Sequence, residues 1–304
     1  MIYTCTMNTA VDLFVETDDL LPDIVNRTKD EDYQPNGKGV NISFMLKRLG
    51  LDNTALGFTG GFTGRFIEDE LKRENIATDF VKVDGISRIN IFINSDREFK
   101  IVNKGPFISE TKTQELIDKI RKIPSGHFLF ISGSLPKGIR ESIYPVLSDI
   151  AATRRIKLVL DISSPALLDC LPYRPYLIKP NEQELAAFFG QKKALSEEEV
   201  ISYGGKLLTR GAERVLVTRG KDGAIYFDRS KTLKVTSAEG KVVNTACAGD
   251  AMLAVFIGKQ ELGMPLEDAL KQASAAGALT AFSKGLGDLS RLDETVSQIR
   301  ITHL

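Results

Sequence analysis

Histidine is scarce: His127 and His303 are the only two in 304 residues. That argues against a histidine-based hydrolase or a zinc centre. The three cysteines, Cys5, Cys170 and Cys247, are odd in number and widely separated, which argues against a disulfide framework and a CxxC metal site. Cys5 and Cys170 read as packing residues. Net charge is missing too, since 40 basic residues balance 40 acidic ones. No bulk field exists to draw nucleic acid or an anionic membrane surface, although a local cation cluster can still hold a small anion. No apolar run approaches the ~20 residues of a membrane span. Met1-Ile2-Tyr3-Thr4-Cys5-Thr6 lacks the basic start and long apolar stretch of an export signal. The expectation is a cytoplasmic protein with neither a nucleic-acid nor a membrane partner. No Gly-x-Gly-x-x-Gly follows the first strand, and no Gly-Lys pair has a glycine five residues before it. A dinucleotide-dependent oxidoreductase and a P-loop NTPase are therefore both disfavoured.

What is present suffices for one large α/β domain over residues 1–304, with 42% hydrophobic and 26% charged residues. Strand-like runs at 2–6, 54–58, 128–131, 157–161, 176–178 and 215–218 are separated by helical patterns, the mark of βαβ units and a parallel sheet. Two stretches leave that pattern. Residues 11–35 and 86–106 carry two-residue periodicity, with Ile89–Ile93 and Phe99–Val102 reading as a hairpin. They predict a small β lid over the carboxyl edge of the sheet, where α/β ligands bind. Its open edges would allow a homodimer to form through the lid. Asp12 falls between two strand-like pieces, where a loop carboxylate could grip hydroxyls.

Two glycine-rich turns carry the chemistry. Val242-Val243 reads as a strand-like approach that turns over Ala248-Gly249 into an apolar helix pattern, so Asp250 falls in the first turn. Helix starts collect unpaired N–H groups and a partial positive charge, which suits Cys247, Ala248 and Gly249 to an anion and Asp250 to accepting a proton. The same position should lower the pKa of Asp250. The other turn is Pro35-Asn36-Gly37-Lys38-Gly39-Val40-Asn41. There glycines permit close backbone approach, and Asn41 offers donors and acceptors to sugar hydroxyls.

Together the two turns resemble the signature motifs of the PfkB (ribokinase-like) carbohydrate kinases, Gly-Gly-Lys-Gly-x-Asn and Asp/Asn-Thr-x-Gly-Ala-Gly-Asp. The resemblance runs nearly end to end. It implies a three-layer αβα sandwich with a mostly parallel central sheet and a small β lid, and ATP with Mg²⁺ as cofactors. It also implies that Asp12, Gly37 and Asn41 hold the sugar and that Asp250 is the base. On the nucleotide side it implies Lys179, Asn181, Thr218, Gly220 and Gly223, with Ala275 lining a slot for adenine. Asn181-Glu182-Gln183-Glu184 has capping-box spacing, and the resemblance adds that Glu184, with Asn181, serves the water shell of Mg²⁺.

Arg27, Arg88 and Lys104 are three cations on the expected lid, and with Lys38 they suggest an acceptor that already carries a phosphate. The segments around them, together with the Ser132–Gly138 loop, look like those of the branch containing 1-phosphofructokinase and tagatose-6-phosphate kinase, and that resemblance implies that Ser134 approaches the phosphate. The expected reaction is therefore fructose 1-phosphate to fructose 1,6-bisphosphate, with tagatose 6-phosphate as the alternative acceptor. Two residues depart from the pattern: Asn36 and Cys247 both stand where glycine is usual. A positive φ at Cys247 would cost on the order of 1–2 kcal/mol. These departures motivate the rival reading, a sugar-phosphate-binding pseudokinase.

Overall fold

The computed structural model describes residues 1–304. The chain opens with β1 (Ile2–Thr6), β2 (Ala10–Glu16), β3 (Asp30–Asn36), α1 (Lys38–Arg48), β4 (Asn53–Thr59) and α2 (Gly61–Arg73). It continues with β5 (Ala77–Thr78), β6 (Val81–Lys82), β7 (Arg88–Asn94), β8 (Glu98–Ile101), α3 (Glu110–Arg121), β9 (Phe128–Ser132), α4 (Ile143–Thr153) and β10 (Lys157–Asp161). Then come α5 (Leu167–Cys170), β11 (Leu177–Ile178), α6 (Glu182–Phe188), α7 (Glu197–Thr209), β12 (Val215–Thr218), β13 (Ala224–Phe227) and β14 (Thr232–Val235). The last elements are α8 (Ala248–Glu261), α9 (Leu266–Ala281), α10 (Leu292–Val296) and β15 (Ile301–His303).

The central sheet has 11 strands in the order β15-β14-β13-β12-β11-β10-β9-β1-β4-β5, with β6 also on β4. It is parallel from β12 through β4 to β5 and β6, and antiparallel from β12 to β15. The chain leaves β1 toward β4 on one side and later returns to its other side as β9. Adjacent connections thus diverge at the carboxyl end of β1, and a crevice opens there.

Apolar side chains of α3, α4, α5, α6 and α7 cover one face of the sheet, and those of α1, α8 and α9 cover the other. That makes three layers around two cores. Helix α8 is buried along most of its length, from Asp250 to Gly258, as a helix apolar on every side must be. Phe256 packs edge-on against Tyr226 of β13, with ring centroids 5.6 Å apart. This contact sets the start of α8 over the crevice.

A separate four-stranded sheet, β3-β2-β7-β8, is built from the two excursions. The expected hairpin is β7–β8, pairing Ile91 with Ile101 and Asn94 with Glu98. The structure corrects two local readings. Asp12 is the third residue of strand β2, paired with Gln34 and Asn90, and not a loop residue. Val242 and Val243 form no strand. Both are exposed, and the chain reaches α8 as an irregular segment. No helix is long and apolar enough to cross a membrane.

Candidate active site

The first glycine-rich turn is held against β1. A Cβ on Gly39 would lie 2.5 Å from Thr6 Oγ1 and 3.0 Å from the Cys5 carbonyl carbon, and one on Gly37, at φ 125°, would lie 2.5 Å from Thr6 Cγ2. Only glycine permits this approach. It lets Val40 N donate to Thr6 Oγ1 at 3.0 Å and aims α1 at the crevice. Asn41, one turn in, is 2% exposed. Its Nδ2 donates to Asp250 Oδ2 at 2.8 Å and to Cys247 Sγ at 3.1 Å. The two motifs, 209 residues apart in the chain, therefore meet side chain to side chain.

Cys247 caps α8 in the left-handed conformation, φ 63°. This is the positive angle whose cost was anticipated. Helix hydrogen bonding begins with Ala251 N donating to Cys247 O at 2.9 Å, and no acceptor takes the N–H groups of Ala248, Gly249 and Asp250. These three donors are open at the helix start, as an anion cradle would require. A Cβ on Gly249 would lie 3.1 Å from Lys179 Nζ, so the glycine brings that ammonium close to the cradle.

Asp161, which ends β10 and is fully buried, was not singled out from the sequence. Lys38 Nζ lies 2.8 Å from its Oδ1 and Lys179 Nζ 3.2 Å from its Oδ2. Burial opposes ionisation of Asp161, but the two lysines prevail and hold its pKa below the usual carboxylate range. Lys38 shifts upward: burial acts against its charge, but Asp161 and then Asp250 outweigh it. Lys38, whose side chain stays 31% exposed, thus reaches from the crevice surface to the buried Asp161. The shortfall falls on Asp250. Burial first, and then the Asp161 charge, push its pKa up to about 6 against the pull of Lys38, Asn41 and Lys179. The helix-start argument predicted the opposite sign. It failed because the dipole is worth ~0.3–2 kcal/mol, whereas complete burial shifts a carboxyl further.

Asp12 is also buried, and its pKa is raised to about 6 by burial despite help from Asn90, Arg88 and Asn36. Its Oδ1 accepts from Asn90 Nδ2 at 2.8 Å, and its Oδ2 accepts from Asn36 Nδ2. Beside it lies a cavity of about 360 Å³ lined by Asn8, Arg88, Lys104, Ser134 and Lys137 among others. A neighbouring hollow of about 900 Å³ shares Arg88, Lys104 and Lys137. Arg88 Nη1 donates to Asn103 O at 3.1 Å, while its buried Nε has no protein acceptor. Three expected residues, Arg88, Lys104 and Ser134, are thus together, and Lys137 joins them. Sequence reading missed Lys137, although it lies in the Ser132–Gly138 loop already singled out.

Arg27 stands apart. It is exposed on the 17–29 connection and lines neither cavity. The register explains why: Ala10 pairs with Asn36 at the crevice end and Glu16 with Asp30 at the other, so the connection leaves β2 about 14 Å beyond Asp12 at ~3.4 Å per residue.

On the other side of Asp250, Lys179, Asn181 and Thr218 follow the carboxyl ends of β11 and β12. Asn181 bridges to Thr218, whose N–H donates to Pro180 O at 3.0 Å. The capping box is real: Glu184 N donates to Asn181 Oδ1 at 2.7 Å and Asn181 N to Glu184 Oε2 at 2.8 Å. Two expected nucleotide residues have structural explanations of their own. Gly223, at φ 79°, is a hairpin residue whose Cβ would strike Val235 O at 2.0 Å. Ala275, on the inward face of α9, is wholly buried in the core and lines no slot. The small residues of α9 serve close helix packing, as at Gly277, where a Cβ would lie 3.2 Å from Ala248 O. Gly220 is exposed, and nothing lies within 4 Å of where its Cβ would be.

The raised pKa of Asp250 has a stability consequence. Its folded value of about 6 exceeds the ordinary aspartate value of 3.8, so the ionised carboxylate weakens the fold above pH 6, and the penalty disappears as both states become protonated below the unfolded value. Asp250→Asn is expected to raise unfolding free energy by roughly 1–3 kcal/mol at pH 8 and by almost nothing at pH 4. Urea titrations at the two pH values measure this. An equal effect at both, or destabilisation at pH 8, contradicts the assignment.

Comparison with known proteins agrees with this geometry. The model of the pfkB family carbohydrate kinases matches residues 4–292. The D-tagatose-1-phosphate kinase of Bacillus licheniformis is 78% identical over 304 residues, covering 100% of both chains. The 1-phosphofructokinase of Bacillus subtilis is 35% identical, again with full coverage of both. The crystal structure of Escherichia coli phosphofructokinase-2 in complex with fructose-6-phosphate superposes with a TM-score of 0.89 at 26% identity, covering 97% of this chain and 98% of that one. With its two signature turns joined across one crevice, the chain belongs to the pfkB family of carbohydrate kinases and is an ATP-dependent phosphotransferase.

Proposed function

We propose that the chain transfers the γ-phosphoryl group of ATP to the 6-hydroxyl of a ketose 1-phosphate, giving the 1,6-bisphosphate. D-tagatose 1-phosphate is the acceptor best supported. The observation that carries the reading is the Asn41–Asp250 contact at 2.8 Å, which sets an acceptor-side turn against an anion cradle and a carboxylate. Fructose 1-phosphate, the acceptor favoured by sequence resemblance, is the C4 epimer of tagatose 1-phosphate and ranks second. The resemblance did not offer tagatose 1-phosphate; the name of the 78% identical relative places it first. Tagatose 6-phosphate carries its phosphate at the opposite end and ranks third.

In this mechanism Asp12 and Asn41 hold sugar hydroxyls, while Arg88, Lys104, Lys137 and Ser134 take the existing phosphate. The free N–H groups of Ala248, Gly249 and Asp250 receive charge developing on the transferring group, assisted by Lys38 and Lys179. The acceptor oxygen forms a bond to the γ-phosphorus as the bond to the β–γ bridging oxygen breaks. ADP leaves and the hydroxyl proton passes to Asp250. A base with a pKa of about 6 is ionised in most molecules at pH 7.5 yet holds a proton better than an ordinary aspartate.

No cluster of three or more His, Cys, Asp or Glu side chains is available to cage a metal. That suits Mg²⁺, which travels with the nucleotide and keeps most of its waters. Glu184 and Asn181 would face that water shell. The ion would supply charge neutralisation of the phosphates. The small sheet acts as a lid that excludes water from the crevice. Its edge strands β3 and β8 have no neighbour on their outer sides, and Tyr33, Phe99 and Ile101 on them are exposed, so a second copy of the chain is the partner this surface suits.

Purified protein with Mg·ATP should release ADP fastest with tagatose 1-phosphate in a panel including fructose 1-phosphate, tagatose 6-phosphate, fructose 6-phosphate and free sugars. Asp250→Ala should lower kcat by at least a thousandfold with ATP affinity nearly unchanged; activity within a few fold of wild type removes Asp250 from the chemistry. Binding of phosphosugars without ADP release would favour the pseudokinase. Arg88→Ala should raise the acceptor KM at least tenfold and leave the ATP KM alone, and a change confined to ATP would displace the phosphate subsite. Sedimentation velocity should report a dimer that Ile101→Lys dissociates, whereas a monomeric wild type ends that part of the proposal.

A further inference from the structure

Asn36 occupies the gap between the two carboxylates. It is the last residue of β3, half-buried, and its backbone pairing with Ala10 makes no use of the side chain. The carboxamide has four partners. Its Oδ1 accepts from Gly37 N and from Asn41 Nδ2, the latter at 3.1 Å. Its Nδ2 donates to Asp12 Oδ2 and lies 3.9 Å from Cys247 Sγ. Asn41 Nδ2 in turn reaches Cys247 Sγ and Asp250 Oδ2. A hydrogen-bonded row therefore runs from Asp12 through Asn36 and Asn41 to Asp250.

The polarity of that row is fixed at one point. A backbone N–H can only donate, so Gly37 forces the carbonyl of Asn36 toward itself and turns Nδ2 to Asp12. The same carbonyl forces Asn41 to present Nδ2 rather than its own oxygen, and Asn41 then faces Asp250 as a donor. A reversed Asn41 would set a carbonyl oxygen against a carboxylate. The sulfur of Cys247 accepts from the donor side of both amides. Burial, followed by the charges of Asp250 and Asp12, holds its thiol well above the usual range and thus protonated and neutral. The two residues that depart from the resembled motifs are therefore in contact and share the same pair of carboxylates.

We infer that Asn36 is a positioning residue: it fixes the orientation of Asn41 and the separation of Asp12 from Asp250, so that acceptor binding and proton acceptance stay in register, with Cys247 as the neutral acceptor behind both amides. The inference rests on the phosphotransfer reading and deepens it. Asn36→Ala deletes the row's centre and leaves Asp12 bonded only to Asn90. Asn36→Asp keeps the shape but replaces the donor facing Asp12 with a like charge.

The test is steady-state kinetics with Mg·ATP and the ketose 1-phosphates. Asn36→Ala and Asn36→Gly are expected to lower kcat at least tenfold with the ATP KM within twofold of wild type, and Asn36→Asp to lower it further. Glycine serves as the second variant because the resembled motif carries it, which protects the test against a folding failure. In an Asn41→Ala background, Asn36→Ala should cost less than a further threefold, because both act on Asp250 through one path. A merely structural Asn36 would instead disturb the ATP and acceptor KM values together. The inference is overturned if Asn36→Ala and Asn36→Gly stay within twofold of an active wild type, or if the Asn36 and Asn41 losses multiply in full. A wild type that releases no ADP with any acceptor defeats the phosphotransfer reading and takes this inference with it.

Discussion

One hydrogen bond, from Asn41 Nδ2 to Asp250 Oδ2 at 2.8 Å, ties the start of α1 to the start of α8, and the site exists because these two helix starts converge. Each helix is set by a different layer of the fold. Gly37 and Gly39 press α1 onto the end of β1, and α8 is wedged between α1 and α9 with Phe256 on Tyr226. The crevice lies where β1 has β4 on one side and β9 on the other. Neither turn alone makes a site, since each also serves ordinary packing.

The electrostatics follow from how few charges share the space. Asp161, Asp250, Lys38 and Lys179 are two acids and two bases. Both bases lie within ion-pair distance of Asp161, so Asp161 is held ionised, while Asp250 keeps a raised pKa with its Oδ2 accepting from the Asn41 amide. Two carboxylates in one pocket with pKa values pushed apart is the arrangement expected where one is structural and the other takes part in proton transfer. The unpaired N–H groups at 248–250 add fixed donors at the helix start, of the kind suited to an anion.

Particular residues mark where sequence reasoning succeeded. The alternation of strands and helices, the departure of the two excursions into a second sheet, the helix start at Ala248, the left-handed angle at Cys247 and the Asn181–Glu184 capping box were all legible, because each is a local pattern with a local physical cause. Val242-Val243 was misread because two β-branched residues in a polar segment carry no information about whether a neighbouring strand exists. Ala275 was misread because small residues look alike in sequence whether they admit a ligand or another segment of the protein. Asp161 and Lys137 were missed for the complementary reason. Each is one charged residue at the end of an unexceptional strand or loop, and its importance comes from neighbours far away in the chain.

The sequence by itself determined the fold class, the order of elements and the two turns on which the chemistry stands, since periodicity, glycine spacing and capping act over a few residues. Tertiary structure alone decided which cations reach which anions. Lys38 went to Asp161, Arg27 was carried to the far end of its hairpin, Asn36 and Cys247 were brought into contact, and Asp250 was pushed up in pKa where its helix position pointed down. Burial and long-range charge pairing depend on distances between segments that lie up to 211 residues apart. Such distances appear only once the layers have packed.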